Sequence, residues 1–382
     1  MPWNLPYVFV MASKKTILLF ARDPGGANAI APLVVPLRNR GFSVSLFGKD
    51  VALKTFDEAG LVAQDILRVI SPITPESVMG LLHDNQPDFL FTGTSADDMA
   101  EKYLWQAARE LGIPSFAILD QWINYGLRFS RHGVSELAAF HAHPILEFLP
   151  DKICVMDDFA KQEAIQEGLE ADRIIVTGQP YFETVLKRAQ SLIPSFRRIH
   201  AVSGNTLLLV FASEPITTTY HETESGPHFW GYTELSILRS VLTALSQLPD
   251  LDTLCLVIRP HPKEGRAHFD SLLNDISPSF RVLVDSTSPS LDLICSSDLV
   301  IGMSSMFLLE ASLVGQRILS VQIGLHRPDP FVLSRMGVTK SVTLEHDLFE
   351  KLTHTLKKPP NISYTFIHNP VERVINEMVG YL

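Results

Sequence analysis

Residues 298–316 read DLVIGMSSMFLLEASLVGQ. An apolar run ends at Gly302, two serines follow, and an apolar stretch of helical length begins at Met306. A strand that only fills a core needs no such ending. Gly302 permits a tight exit, while Ser304 and Ser305 can cap a helix and donate hydroxyl hydrogen bonds. The unpaired N–H groups of a first helical turn favour an anion. Glu310 stands one to two turns further on, in a helix that is otherwise apolar. A buried, unpaired carboxylate is costly, so Glu310 is expected to turn towards a ligand, where it can hold ribose hydroxyls. The competing reading is a capped core helix with Glu310 on its wet side.

The same unit, an apolar strand, a Gly- or Pro-bearing loop and an amphipathic helix, recurs along the chain. TILLFA (16–21) leads into RDPGGANAIAPLVVPLRNRG, where Ile30, Leu33, Val34 and Leu37 fall at helical spacing. FSVSLFG (42–48), PDFLFTGTS (87–95), PSFAILD (114–120), DKICVMD (151–157) and RIIVTGQP (173–180) are further strands. Residues 191–206 carry a proline, a basic pair and a Ser-Gly-Asn turn and read as a linker. The pattern then restarts with LLLVFAS (207–213), LCLVIRPHP (254–262), SFRVLVD (279–285), DLVIGMSS (298–305) and RILSVQIG (317–324). Apolar runs without strict alternation fit parallel strands buried on both faces. The expected fold is α/β, two Rossmann-like domains facing a cleft, spanning residues 12–195 and 200–382.

Of 382 residues, 32 are basic and 42 acidic, for a formal net charge of -10. This argues against a nucleic-acid partner, which calls for a basic surplus. Cys154, Cys255 and Cys295 lie apart in apolar runs with no metal-ligand spacing. They read as buried reduced thiols in a cytoplasmic protein. The opening YVFVMA is too short for a membrane span and lacks the basic flank of a signal peptide. Met11 is read as the start, with residues 1–10 a loose extension.

In an open parallel sheet, ligands bind beyond the carboxyl ends of the strands. The loop ARDPGGAN (21–28) places Arg22 and Asp23 at such an end, with Gly25 and Gly26 allowing close backbone approach. No GxGxxG fingerprint is present. In VIRPHPKEG (257–265) two prolines restrain His261, and Arg259 and Lys263 flank it. That grouping suits a phosphate clamp, because each side chain donates charged hydrogen bonds to an anion. Ser213 and Glu214, at another strand exit, are expected to touch the same ligand.

At these residues the chain resembles the GT-B-fold glycosyltransferases and their relative, the non-hydrolysing UDP-N-acetylglucosamine 2-epimerase. The likeness is carried by RPHPKEG, by residues 296–324 and by ICVMDDFAKQEAIQEGLEADRIIVTGQPYFETV (153–185). It implies that His261, Ser304 and Ser305 contact phosphate and that Glu310 binds ribose. The paired HP and SS motifs also resemble transferases that use CMP-sugars or CDP-glycerol, so the donor is of UDP or CMP/CDP type. The epimerase pattern is matched less well in the first half. Gly25 stands where its loop has an acidic residue, Thr94 and Ser95 where an Asp is expected, and Asp120 where a Glu-Ala-Gly-Leu-Arg run is expected.

The resemblance therefore implies an inverting, metal-independent glycosyltransferase in polysaccharide biosynthesis. Its acceptor is a glycan or lipid-linked sugar, with peripheral contact at the inner membrane face. No cofactor beyond the nucleotide-sugar substrate is expected. The general base is assigned to Asp120, then to Asp98 or its neighbour Asp97, then to Asp23, although helix capping competes for the aspartates at 97 and 98. Trp122 and Tyr125 are read as an acceptor platform, with inter-loop packing as the other reading. Residues 213–234, bearing His221, Glu222, Glu224 and His228, read as a mobile loop; no spacing there supports a metal. Two other readings stand beside transfer: a nucleotide-sugar 2-epimerase or hydrolase, and an inactive nucleotide-sugar-binding protein.

Overall fold

The structure, a computed structural model, describes residues 14–222, 228–359 and 366–382. The readings that fall on residues 1–10, Met11 and Glu224 lie outside the described residues. The chain forms two compact units, one comprising the chain up to Glu183 with Phe366–Leu382, the other Thr184–Thr365.

The first unit is built on a seven-stranded sheet. Its strands are β1 (Thr16–Ala21), β2 (Ser43–Gly48), β3 (Gln64–Asp65), β4 (Phe89–Thr92), β5 (Ser115–Ile118), β6 (Lys152–Val155) and β7 (Ile174–Val176). They lie in the order β3-β2-β1-β4-β5-β6-β7, every pairing parallel. Parallel strands need helical crossovers, and those helices bury both sheet faces, so β1, β4 and β5 are apolar almost throughout. The chain reverses its direction of travel across the sheet between β1 and β4, which brings the loops after these two strands together. They meet at glycines: a Cβ on Gly26 would lie 3.1 Å from Gly93 Cα.

The second unit repeats the plan with five parallel strands, β8 (Leu207–Ala212), β9 (Leu254–Arg259), β10 (Arg281–Val284), β11 (Leu299–Gly302) and β12 (Ile318–Ser320). Their order is β10-β9-β8-β11-β12, and the reversal falls between β8 and β11. Gly302 is required here by packing. A Cβ would meet Leu308 Cδ1 at 2.4 Å and the Ala212 carbonyl oxygen at 2.9 Å.

Two segments differ in detail from the sequence reading. Within residues 191–206, helix Phe196–Ile199 is tied to the second unit. Ser195 donates from N and Oγ to Asp292, at 2.6 and 2.7 Å, and Arg197 pairs with Asp298 at 2.7 Å. The last helix, Pro370–Val379, belongs to the first unit. Its Val371, Val374, Ile375 and Met378 fall at helical spacing and enter the first core. Each such buried side chain is worth about 1.5–3 kcal/mol, enough to hold the chain end there.

Candidate active site

In the second unit the loops after β8, β9 and β11 carry the residues read as phosphate ligands. His261 follows β9 and is partly buried. Its Nδ1 accepts from the Lys263 N–H at 3.2 Å, which leaves the proton on Nε2, available to a ligand oxygen. Burial, and then the Lys263 charge, hold the imidazole below its usual pKa, so it is a neutral donor near pH 7. Lys263 is exposed. Arg259 is less available, because its Nη1 lies 3.5 Å from Asp285 Oδ2 and 3.3 Å from the Asp285 carbonyl oxygen.

The β8–β11 reversal places Glu214 against the start of helix Met306–Leu313. Its carboxylate accepts from the Ser304 N–H and, at 2.9 Å, from Ser304 Oγ. The N–H groups of Ser305 and Met303 also face it. They oppose the burial that pushes its pKa upward. Ser305 caps the helix through backbone only, and its buried Oγ has no partner among the described residues. Glu264 plays the same part on the neighbouring loop. It accepts from the His261 N–H at 2.7 Å and from Ser213 Oγ at 3.0 Å. Ser213 is therefore already engaged, and Glu310 remains partly exposed on a helix whose neighbours Leu308, Leu309 and Ala311 are buried.

Among the described residues, one group in this unit could hold a cation: ligand atoms of Glu234, Glu264 and His268 all lie within 4.8 Å of one another. Their hydrogen-bonding capacity is taken up internally, since Glu234 accepts from His268 Nε2 at 2.8 Å and from the Thr217 N–H at 3.1 Å. Glu222 is paired with His228 Nδ1 at 3.1 Å. The described part of the 213–234 segment is packed, with Tyr220 stacked on Phe229 at 4.3 Å.

In the first unit the carboxyl groups gather beyond β1, β4 and β5. Asp120 is 9% exposed and accepts from Arg128 Nη1 at 2.8 Å. The same guanidinium nitrogen donates to the Thr94 carbonyl at 2.6 Å. Burial raises the Asp120 pKa, Arg128 opposes that, and Asp23 adds to it. Gly25 is the residue that admits this carboxylate, since a Cβ there would lie 1.7 Å from Asp120 Oδ2. Asp23 pairs with Arg22 Nη1 at 2.7 Å, and Arg22 Nε reaches Asp50 at 3.1 Å. Asp98 pairs with Lys49 and accepts from the Ala100 N–H at 2.8 Å, so it serves in part as the helix cap weighed against catalysis. Asp97 accepts from the Val134 N–H at 2.7 Å.

The expected acceptor platform does not form. Trp122 and Tyr125 are 3% and 1% exposed and offer no open ring face. Trp122 stacks on Phe182 and donates to Asp157 at 2.9 Å, while the Tyr125 hydroxyl reaches Glu163 at 2.9 Å. Gly26 likewise serves close backbone packing.

Glu101 was not singled out from sequence. It sits at the start of helix Ala100–Leu111, fully buried, and neither carboxylate oxygen has a hydrogen-bond partner among the described residues. Burial, then the Asp98 and Asp23 charges, push its pKa up to about 8, although the Arg22 and Glu101 main-chain N–H groups lean the other way. Its position next to the helix start at Ala100 offered only a first-turn acid as a signal.

No family model matches the chain, and no curated protein matches it in sequence. Solved structures do match. The UDP-GlcNAc 2-epimerase of Neisseria meningitidis, bound to UDP-GlcNAc, is 14% identical with a TM-score of 0.66, over 96% of this chain and 100% of that one. That of Methanocaldococcus jannaschii is 12% identical with a TM-score of 0.68, over 96% and 100%. S. aureus MnaA, solved with UDP, is 15% identical with a TM-score of 0.62, over 96% of each chain. At such identities the likeness establishes the fold: two Rossmann-like domains of the GT-B type, as in the UDP-GlcNAc 2-epimerases. It overturns the preference for sugar transfer to an acceptor drawn from the sequence, because these neighbours are epimerases. Among the described residues no helix is long and apolar enough to cross a membrane.

Proposed function

We propose that this chain is a nucleotide-sugar epimerase. It binds a nucleoside-diphosphate sugar of the UDP type and inverts a carbon of the sugar, with no acceptor and no added cofactor. The observation that carries this reading is the likeness to the UDP-GlcNAc 2-epimerases over 96% of the chain, through both units.

The residues divide the work in a way the chemistry asks for. In the second unit, His261 offers a neutral Nε2–H to phosphate, Lys263 adds an exposed cation, and Glu310, half-buried on its helix, is assigned to ribose. In the first unit, Asp120 is a carboxyl group whose pKa burial raises, with Asp23 close enough to add to that rise. Inverting a C–H centre requires a proton to leave one face and another to arrive on the opposite face. That needs an acid and a base whose pKa values are set apart by their surroundings. Asp120 is assigned the base role, with Asp23 close by and Asp98 the second candidate. The free thiols of Cys154, Cys255 and Cys295 suit a reducing, cytoplasmic setting.

A thermal-shift panel of UDP, CMP, CDP and GDP tests the ligand class. A ligand that binds only the native state raises its melting temperature. UDP is expected to give the largest shift. A panel with no shift for any nucleotide would remove the reading.

A further inference from the structure

At both turns given the phosphate role, a main-chain N–H already holds a carboxylate of the protein itself. Ser304 N–H and Oγ go to Glu214, and His261 N–H goes to Glu264. Both carboxylates accept on both oxygens, but their donors come from different places. Glu264 accepts from the His261 N–H within its own turn and from Ser213 Oγ on the loop after β8. Glu214 stands on a loop between β8 and the short helix Ile216–Tyr220, and the turn at Ser304 holds it: Ser304 N–H and Oγ reach its two oxygens, and the Ser305 and Met303 N–H groups face it. The unpartnered, buried Ser305 Oγ adds a further donor at the same turn.

From this we infer that Glu214 is a specificity-determining residue of the nucleotide site, an internal anion that a ligand phosphate must displace from Ser304. The inference rests on the nucleotide-sugar reading above. The physical case is one of like charges. A carboxylate and a phosphate cannot share the Ser304 donors, and their like charges repel at so short a distance. A phosphate that arrives without further anchorage loses that competition. One tethered to a nucleoside brings additional contacts, such as a ribose held by Glu310, and can win it. The site so built rejects free phosphate and accepts the nucleoside diphosphate.

The test is calorimetric titration of UDP, uridine and inorganic phosphate into the full chain and into Glu214→Gln and Glu214→Ala, with His261→Ala alongside. Removing the Glu214 charge is expected to tighten UDP at least about tenfold. It should bring inorganic phosphate into measurable binding and leave uridine unchanged. Use of two variants guards against one that fails to fold. If wild type binds UDP and His261→Ala weakens it, yet neither Glu214 variant binds UDP more tightly, the gating role is wrong and the nucleotide reading stands. If neither wild type nor the Glu214 variants bind UDP, both fall together.

Discussion

Gly25 and Asp120 occupy one space: the position that a Cβ on Gly25 would take lies 1.7 Å from Asp120 Oδ2. The loop after β1 can therefore carry no side chain there while Asp120 holds Arg128. Gly25→Ala must push the carboxylate off its partner, and overpacking of this kind costs about 1–3 kcal/mol. That outweighs the gain of about 1 kcal/mol that alanine brings to a helix. Gly80, in helix Pro75–Asn85, has nothing within 4 Å of a built Cβ, so Gly80→Ala should show the gain alone. Chemical denaturation is expected to show Gly25→Ala destabilised and Gly80→Ala stabilised. Equal shifts in the same direction would refute the Asp120 contact.

Glu101 makes stability depend on pH in a predictable direction. Its carboxyl has a pKa of about 8 when folded against a usual 4.5. Below 4.5 both folded and unfolded chains keep the proton. Between there and about 8 the unfolded chain releases it while the folded chain does not, so stability falls as pH rises. Glu101→Gln removes the titration. The variant should gain on wild type from pH 5 to pH 8.5 by on the order of a few kcal/mol. Melting curves at those two values check it, and parallel curves would show that Glu101 ionises freely.

His261 should act as a neutral donor. Its Nδ1 is taken by the Lys263 N–H, and burial lowers its pKa. Binding of a UDP-sugar, whose diphosphate has no group titrating in this range, should then stay level between pH 6.5 and 8.5. A required imidazolium would instead lose affinity as pH rose. His261→Ala should weaken binding by roughly tenfold or more, as loss of one good hydrogen bond to a charged group does, and leave the melting temperature in place.

Arg128 and Asp120 form a buried pair, 8% and 9% exposed. Asp120→Asn keeps the shape and removes the charge. It should abolish turnover while UDP affinity, assigned here to second-unit residues, stays within about twofold. Arg128→Met leaves Asp120 uncompensated and should cost about 3–5 kcal/mol of stability. Turnover retained by Asp120→Asn would remove the base assignment.

How much of this was open to sequence follows from the reach of each signal. Strands such as TILLFA and LLLVFAS are continuous apolar runs between turn residues, so β1 matches its sequence limits and β8 ends one residue short of them. The two-residue edge strand β3, Gln64–Asp65, has no run to read. Helix Pro370–Val379 carries its apolar face among glutamates and an arginine, and nothing local says which core receives it. The placing of His261 and Ser304 at strand ends was legible because motif and strand end coincide. What occupies their donors was not. Glu214 lies 90 residues from Ser304, and only the β8–β11 adjacency joins them. Trp122 and Tyr125 failed as a platform for a related reason: an aromatic cluster reads the same whether it stacks on a sugar or on Phe182.

The central claim is most directly tested by following UDP-N-acetylglucosamine with the purified chain in deuterated water, without acceptor, by NMR. The account predicts appearance of the C2 epimer, with deuterium at C2 of both sugars and none with Asp120→Asn. An unchanged substrate, carrying no deuterium in the presence of protein that binds UDP, would contradict it.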